Sequence, residues 1–342
     1  MFQRYYILLI VFSFLFYQCD KNNKILDLSS TNLEIDINRY EKKFFQLDTN
    51  NLISSLKELR KEDSIFFDFY TIQMMRFGKI TDTISPSILS IEEILTNKNV
   101  QELRDSVKVS FEDFSPIKQE LTEAFKYFKH YFPNKKLPEV RTVISEFGYN
   151  AVSLDSTYLV FGLDMYLGKY FKYYGSFDFP TYVVKRFEKD FMVPNAMEVI
   201  YNQYFGADAL ESTQALVHAM IENGKKLYFL ECMSPTKDKN VLIGYTKKQF
   251  EWCENSEADI WAFYNEKDLF YSKKYMEHKK HVADGPKTAG MPKEAPGNVG
   301  SWVGWQIVNQ YMENANEKIS LKQLLQTDAK TILVKSKYKP KK

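Results

Sequence analysis

Residues 140–162 of the chain read VRTVISEFGYNAVSLDSTYLVFG. This stretch contains three short runs rich in β-branched and aromatic residues: 140–144, 149–154 and 157–161. Gly148 stands before the second run, and Asp155 and Ser156 separate the second run from the third. Short runs of this composition, bounded by turn-forming residues, are typical of strands and hairpins. The stretch therefore predicts a small sheet with at least one hairpin.

Helices are predicted before and after this stretch along the chain, because the 342 residues include only 13 Gly and 11 Pro and helix breakers are therefore scarce. Apolar periodicity predicts helices over residues 50–60, 64–77, 90–96, 115–132, 195–205, 211–233, 246–272, 300–314 and 321–326. Alternating Leu33, Ile35 and Ile37 predict one further strand, and residues 282–299 are predicted to form one long irregular loop. The sequence thus predicts a mainly helical α+β fold, with a small β-sheet packed against helices.

The composition is that of a globular protein. Apolar residues make up 44% of the chain and charged residues 26%, and 46 Lys and Arg against 44 Asp and Glu leave a formal charge of +2. Disorder requires low hydrophobicity and high net charge, and nucleic-acid binding is usually accompanied by a strongly basic domain. Neither class fits, so no nucleic-acid partner is expected.

The N-terminus has the pattern of an export signal. Residues 5–17 carry no charge and follow Arg4, but a helix of this length rises only ~20 Å, against a hydrocarbon core of ~30 Å. The chain turns polar after Cys19, as in bacterial lipoprotein signals. We therefore predict a signal peptide over 1–18, acylation of Cys19 with anchoring by two or more chains, and a polar tether over 19–32. An uncleaved signal anchor is the alternative.

Two further cysteines, Cys232 and Cys253, fall in predicted helices. In an oxidising compartment they permit a disulfide, whereas buried positions in helices favour two free thiols. Both alternatives stay open at the level of sequence.

A metal site is one interpretation of three polar residues in helices. His218 and Glu222 are four residues apart, so they share one face of a helix that we expect to be buried, and Glu257 interrupts the apolar face of the helix predicted over 246–272. In zinc peptidases one helix supplies two ligands and a following helix supplies a Glu. His218, Glu222 and Glu257 are therefore candidate zinc ligands.

The candidate zinc site lacks a general base. In the peptidase motif HExxH a Glu follows the first His, and here that position is Ala219. Without this base, activation of water loses about 10²- to 10⁴-fold in rate. Three hypotheses follow: a working metallohydrolase, a metal-binding but inactive site, and a metal-free hydrogen-bonded cluster, which is the preferred interpretation. No catalytic residue is assigned and no cofactor is expected, with zinc as the alternative.

Two other features are given structural interpretations. Gly300 and Gly304 are one helical turn apart beside Trp302 and Trp305, a spacing that favours close helix packing. His278 and His281 lie in a Lys-rich segment and are predicted to be exposed.

Several motifs, taken together and in order, carry a family resemblance: Phe66–Tyr70 with Gly78, Phe132-Pro133 with Leu137–Val140, Phe161–Gly168, Leu216–Phe229, Asn255–Phe263, and Pro296-Gly297 with Gly300–Val308. On these motifs the chain resembles the GldB family of bacterial gliding-motility lipoproteins. The resemblance implies an exported lipoprotein needed for gliding and for the associated type 9 protein secretion. It also implies a distant kinship with zincin-like peptidases, without a catalytic set.

The resulting prediction is one large GldB-like domain over 33–342, with a mostly helical part (33–136), a zincin-like part (137–334) and a basic tail (335–342). Lipid on Cys19 would hold it in the cell envelope, facing the periplasm, where it would act through contacts with other gliding and secretion proteins. The rivals are a membrane-anchored zinc metallopeptidase, or its inactive descendant, and a small-molecule binder using a pocket around His218 and the 282–299 loop.

Overall fold

A computed structural model describes residues 24–80, 83–206, 214–315 and 317–341. The predicted signal peptide (1–18) and the predicted acylation site, Cys19, lie outside these residues. The described part of the chain is mainly helical with one four-stranded sheet, which confirms the predicted α+β class. The predicted zincin-like core stays a prediction.

Sixteen α-helices and four strands occur in the described residues. The helices are α1 (Tyr40–Phe44), α2 (Leu52–Glu62), α3 (Ser64–Asp68), α4 (Pro86–Thr96), α5 (Lys98–Ser110), α6 (Ser115–Tyr131), α7 (Thr181–Val184), α8 (Met192–Phe205), α9 (Leu216–Met233), α10 (Lys239–Ile243), α11 (Lys247–Asn255), α12 (Glu257–Glu266), α13 (Tyr275–Val282), α14 (Val299–Asn314), α15 (Leu321–Gln326) and α16 (Ala329–Ser336). The strands are β1 (Ile37–Arg39), β2 (Glu139–Val143), β3 (Ala151–Leu154) and β4 (Tyr158–Gly162).

The sheet has the strand order β1-β2-β4-β3. Strand β2 pairs in parallel with both β1 and β4, whereas β3 pairs antiparallel with β4. The β3–β4 pair is the predicted hairpin, with Asp155 at its turn in the left-handed region (φ 50°). The parallel β1–β2 pair is joined by a long connection that contains α1 to α6.

Helices cover both faces of the sheet, since successive residues of β4 belong to two separate apolar clusters. Leu159 and Phe161 lie in a large cluster with α6, α8, α9 and α14. Tyr158 and Val160 lie in a smaller cluster with α1 to α4. Because side chains alternate along a strand, the two clusters occupy opposite faces. Parallel strands are typically buried on both sides in this way.

Helices α9 and α14 cross at the centre of the larger cluster with their backbones in contact. A Cβ atom placed on Gly304 would lie 1.7 Å from the carbonyl oxygen of Met220, and one on Gly224 would lie 2.3 Å from the backbone of Gly304. The prediction that Gly300 and Gly304 serve close helix packing is confirmed.

Three local expectations were wrong. Only Ile37–Arg39 forms the first strand, because pairing with β2 begins at Ile37. The helix expected over 246–272 is divided at Ser256, whose backbone (φ −111°, ψ 15°) ends α11. Helix α5 was not predicted, although Asn97 caps it by accepting from two backbone N–H groups. Residues 283–298 do form the expected irregular loop.

Candidate functional site

The proposed zinc ligands on α9 lie on its polar stripe. His218 and Glu222 are half-buried, as are Asn223 and Lys226, whereas the rest of the helix from Leu216 on is buried. The expectation of a buried His and Glu was therefore wrong for these two side chains. Glu222 Oε1 accepts from the buried Lys225 Nζ at 2.8 Å, so the carboxylate already has a cationic partner.

Glu257, the third proposed ligand, has a different partner. It is the first residue of α12, is buried, and accepts a hydrogen bond from the Tyr338 hydroxyl at 2.6 Å. Tyr338 belongs to the predicted basic tail, in which Ser336 and Tyr338 pack on the domain. The tail lysines that the structure describes, Lys335, Lys337, Lys339 and Lys341, are exposed. Among the described residues, no three His, Cys, Asp or Glu side chains are grouped closely enough to hold a metal ion. Zinc binding by His218, Glu222 and Glu257 stays a prediction.

Neither the cysteines nor the paired histidines form a reactive site. Cys232 and Cys253 are free and buried, and burial raises the pKa of the Cys232 thiol to about 12, so it is unreactive as a nucleophile. His278 and His281 are buried, which contradicts the expectation of exposure. They contact the Ser272 carbonyl and the Tyr264 hydroxyl, and burial lowers the pKa of His281.

A polar cavity of about 250 Å³ lies between α8, α9, α10 and α14. Its lining carries two cations, two carboxylates and three neutral polar residues: Arg186, Lys226, Glu198, Asp284, Asn223, Asn298 and Ser301. Leucine, isoleucine and valine side chains complete the wall. We refer to it as the α8–α9 cavity. It is smaller than most sites for drug-sized ligands, which occupy ~300 to 1,000 Å³.

Two ion pairs neutralise the charges of the α8–α9 cavity. Arg186 makes a bidentate pair with Asp284, at 2.7 and 2.8 Å, and Lys226 Nζ lies 2.5 Å from Glu198 Oε1. Burial opposes ionisation of Glu198, but the Lys226 ammonium outweighs it and holds the pKa of this carboxyl below its usual value. Gly244 (φ +78°) leaves room for the guanidinium of Arg186, since a Cβ at this position would lie 2.2 Å from it. The lining is therefore formally neutral and strongly dipolar.

The neutral polar residues fix the two ends of the 283–298 loop beside the cavity. Asn223 Nδ2 donates to the Val282 carbonyl at 3.1 Å and to Ser301 Oγ at 2.8 Å. Asn298, in the left-handed region at φ 65°, is the N-cap residue of α14. Ser301 Oγ has no histidine among its hydrogen-bond partners. This geometry holds polar groups for binding and provides no activated nucleophile in the described residues.

The sequence anticipated only part of this cavity. A pocket bounded by the 282–299 loop was predicted, and Val282, Asp284 and Asn298 do line it, but His218 does not. Arg186 and Glu198 were missed, because each sits in an unremarkable helical or turn context and meets the loop only in three dimensions. Asn223 and Lys226, three apart on the polar stripe of a largely buried helix, are the signal that could have indicated a polar site.

The family motif Phe161–Gly168 lies mostly at tightly packed, buried positions of the fold. In Phe161–Gly168, a Cβ on Gly162 would lie 2.0 Å from the Tyr149 carbonyl oxygen, and Asp164 is wholly buried. The fold and its sites thus define a helical α+β domain with a dipolar cavity and tightly packed motifs.

The family model for gliding motility protein GldB matches residues 21–340, so the chain belongs to the GldB family. Membership associates the protein with gliding motility and with lipoproteins of the cell envelope. Comparisons with curated proteins and with solved structures gave no significant match. In the part of the chain that the structure describes, every helix is too short or too polar to cross a bilayer.

Proposed function

We propose that this protein is an envelope lipoprotein, anchored through acylated Cys19, that supports gliding and its associated secretion machinery through protein contacts. The observation that carries the proposal is the match to the GldB family over residues 21–340, nearly the whole chain. Acylation with two or more chains would give stable anchoring without a spanning helix. The anchored domain would face the periplasm.

The site geometry is consistent with contacts rather than cleavage. Glu222 and Glu257 are engaged by Lys225 and Tyr338, and Ala219 replaces the peptidase base. A membrane-anchored zinc peptidase, or an inactive descendant of one, is the rival proposal, and it requires both carboxylates to exchange their present partners for a metal.

Two substitutions test the proposal: the first tests the lipid anchor, which both proposals share, and the second separates protein contacts from metal chemistry. Cys19→Ser removes the acyl acceptor, and we expect it to abolish incorporation of radiolabelled palmitate, to release the protein from membranes and to stop gliding. His218→Ala removes a candidate zinc ligand, and we expect gliding to persist, because contacts made elsewhere on the domain remain.

The zinc content of the purified wild type and of His218→Ala is measured alongside gliding. Stoichiometric zinc in the wild type, lost together with gliding in His218→Ala, would overturn the contact proposal in favour of the metalloenzyme. Unimpaired palmitate labelling in Cys19→Ser would overturn the assigned anchor.

The α8–α9 cavity favours a second candidate function, binding of a small polar ligand. Paired cations and carboxylates in one cavity match a molecule with both an ammonium and a carboxylate, such as a free amino acid or a dipeptide. A ligand that binds only the folded state raises its stability by about 2.7 kcal/mol at 100-fold excess over Kd. We therefore expect some member of an amino-acid and dipeptide panel to raise the melting temperature by a few degrees.

The control for this measurement is Lys226→Met, which removes one cation and keeps the length of the apolar stem. We expect the ligand-induced rise to disappear in Lys226→Met. A panel without effect on the wild type, or an equal rise in the variant, would rule out this ligand class at the cavity.

A further inference from the structure

The first described residues are fixed to the domain. Lys24 Nζ lies 2.7 Å from Glu231 Oε2 and 4.0 Å from the centre of the Tyr228 ring. Leu26 pairs with the Tyr127 hydroxyl twice, since its N–H donates at 3.0 Å and its carbonyl accepts at 3.2 Å. The Lys24 and Glu231 side chains are only 13% and 10% exposed, so this ion pair is poorly screened by solvent.

This attachment limits the distance between the domain and a lipid on Cys19. Five residue steps separate Cys19 from Lys24, and a fully extended chain spans at most about 18 Å over five steps. A free tether from Cys19 to Asn32 would allow the domain to rotate and to stand off from the membrane. Attachment at Lys24 instead brings one particular surface close to the acyl chains.

The surface that continues from the contact of Leu26 with Tyr127 toward the end of α6 has a composition that suits a lipid headgroup layer. Half-buried Tyr131 and Tyr204 lie near the end of α6 and the end of α8, and Lys135 Nζ lies 4.5 Å from the centre of the Tyr204 ring. Tyrosine is enriched where one end of a side chain is apolar and the other is wet, as at membrane interfaces. Ile25 adds an apolar side chain that is 57% exposed.

The same surface is basic. Lys24 and Lys239 share one carboxylate, Glu231, so these two ammonium groups carry one more charge than the carboxylate they share. Lys129 Nζ donates to the backbone carbonyls of Pro133 and Lys135, which follow α6, and these contacts leave its charge unneutralised. Lys136 is exposed. Clustered lysines next to a membrane are attracted to anionic lipid headgroups.

We propose that this surface, which we name the anchor face (Lys24–Leu28, Lys129–Lys136, Tyr204 and Lys239), lies flat against the bilayer that holds the acylated Cys19. The inference rests on the proposed lipid anchor and adds the orientation of the domain on it. The rest of the domain surface is then free for protein partners.

The test uses the acylated full chain on vesicles of phosphatidylethanolamine and phosphatidylglycerol. An environment-insensitive fluorophore is attached at Lys136→Cys on the anchor face. In a matched protein the same fluorophore is attached at Ile65→Cys, an exposed position of α3. Wild-type protein gives the background, because its two described cysteines are buried. We expect vesicles to reduce acrylamide quenching several-fold at position 136 and to leave position 65 unchanged.

A second variant tests the attachment itself. The double substitution Lys24→Met with Tyr127→Phe, made in the protein labelled at position 136, removes the ion pair with Glu231 and the hydroxyl that binds Leu26. We expect this protein to float with vesicles and to lose the protection of its label from acrylamide. Equal quenching of both labels on floated protein overturns the anchor face and leaves the lipid anchor standing. Failure of the acylated chain to float overturns the anchor and the orientation together. Protection of position 136 in native envelopes but not on vesicles overturns the lipid assignment in favour of a protein partner.

Discussion

Gly304→Ala is expected to lower the free energy of unfolding by at least about 4 kcal/mol, the range reserved for severe overpacking and strain. The added Cβ would lie 1.7 Å from the Met220 carbonyl oxygen and 2.2 Å from its carbon. Both atoms belong to the backbone of α9, so no side-chain rotation relieves the clash. The two helices must separate, and buried Trp302 and Trp305 then lose their packing. Urea denaturation followed by tryptophan fluorescence measures the change.

The matched control is Gly175→Ala, because a Cβ at Gly175 meets no atom within 4 Å. This variant should denature within about 0.5 kcal/mol of the wild type, as surface substitutions usually do. A Gly304→Ala protein that unfolds at the same urea concentration as Gly175→Ala would contradict the backbone contact between α9 and α14.

Features governed by local pattern could be read from the sequence. The β3–β4 hairpin follows from two strand-forming runs around Asp155 and Ser156, and α14 follows from its apolar periodicity with two glycines on one face. Both signals depend on a few consecutive residues, and the physical rule behind each operates at that range. The α+β class was therefore accessible, along with the irregular loop over 283–298.

Features that depend on distant residues could not be read in the same way. Glu257 was singled out as a carboxylate in need of a partner, but its partner, Tyr338, lies 81 residues away. Arg186 and Asp284, 98 residues apart, pair only because α9 and α14 bring the 283–298 loop beside α7. A spacing that fits a metal site is equally compatible with these separate hydrogen bonds, so the spacing alone could not choose between them.

Asp164 illustrates a residue whose importance becomes clear only in three dimensions. It is fully buried and accepts from the backbone N–H groups of Ser145 and Phe147, at 2.9 and 2.5 Å. Glu146, between these donors, and Phe147, the second donor, are both in the left-handed region, at φ 50° and φ 65°. Non-glycine residues in this region cost of order 1 to 3 kcal/mol each, and the Asp164 carboxyl offsets that strain. Its place in the Phe161–Gly168 motif is thus explained by the β2–β3 connection.

Asp164→Asn is expected to lower the free energy of unfolding by about 2 to 4 kcal/mol at pH 7, because an amide accepts one of the two N–H groups and turns its own NH₂ toward the other. Burial raises the pKa of Asp164 from 3.8 to about 6 despite its hydrogen bonds with Phe147 and Ser145. The folded protein therefore binds a proton between pH 4 and 6 that the unfolded chain has released, and stability falls as pH rises through this window.

The pH dependence separates ionisation of this carboxyl from simple loss of packing. Asparagine does not titrate, so the stability difference between wild type and Asp164→Asn should shrink by up to about 3 kcal/mol from pH 4 to pH 7, the equivalent of the pKa shift. Asp155→Asn, an exposed carboxylate that also sits at positive φ, should follow the wild-type curve throughout. Parallel curves for wild type and Asp164→Asn would mean that the carboxyl is ionised equally in both states. The left-handed turn would then be held by the packing of Phe147 against Tyr174 and Phe177, and Phe147→Ala would become the more damaging change.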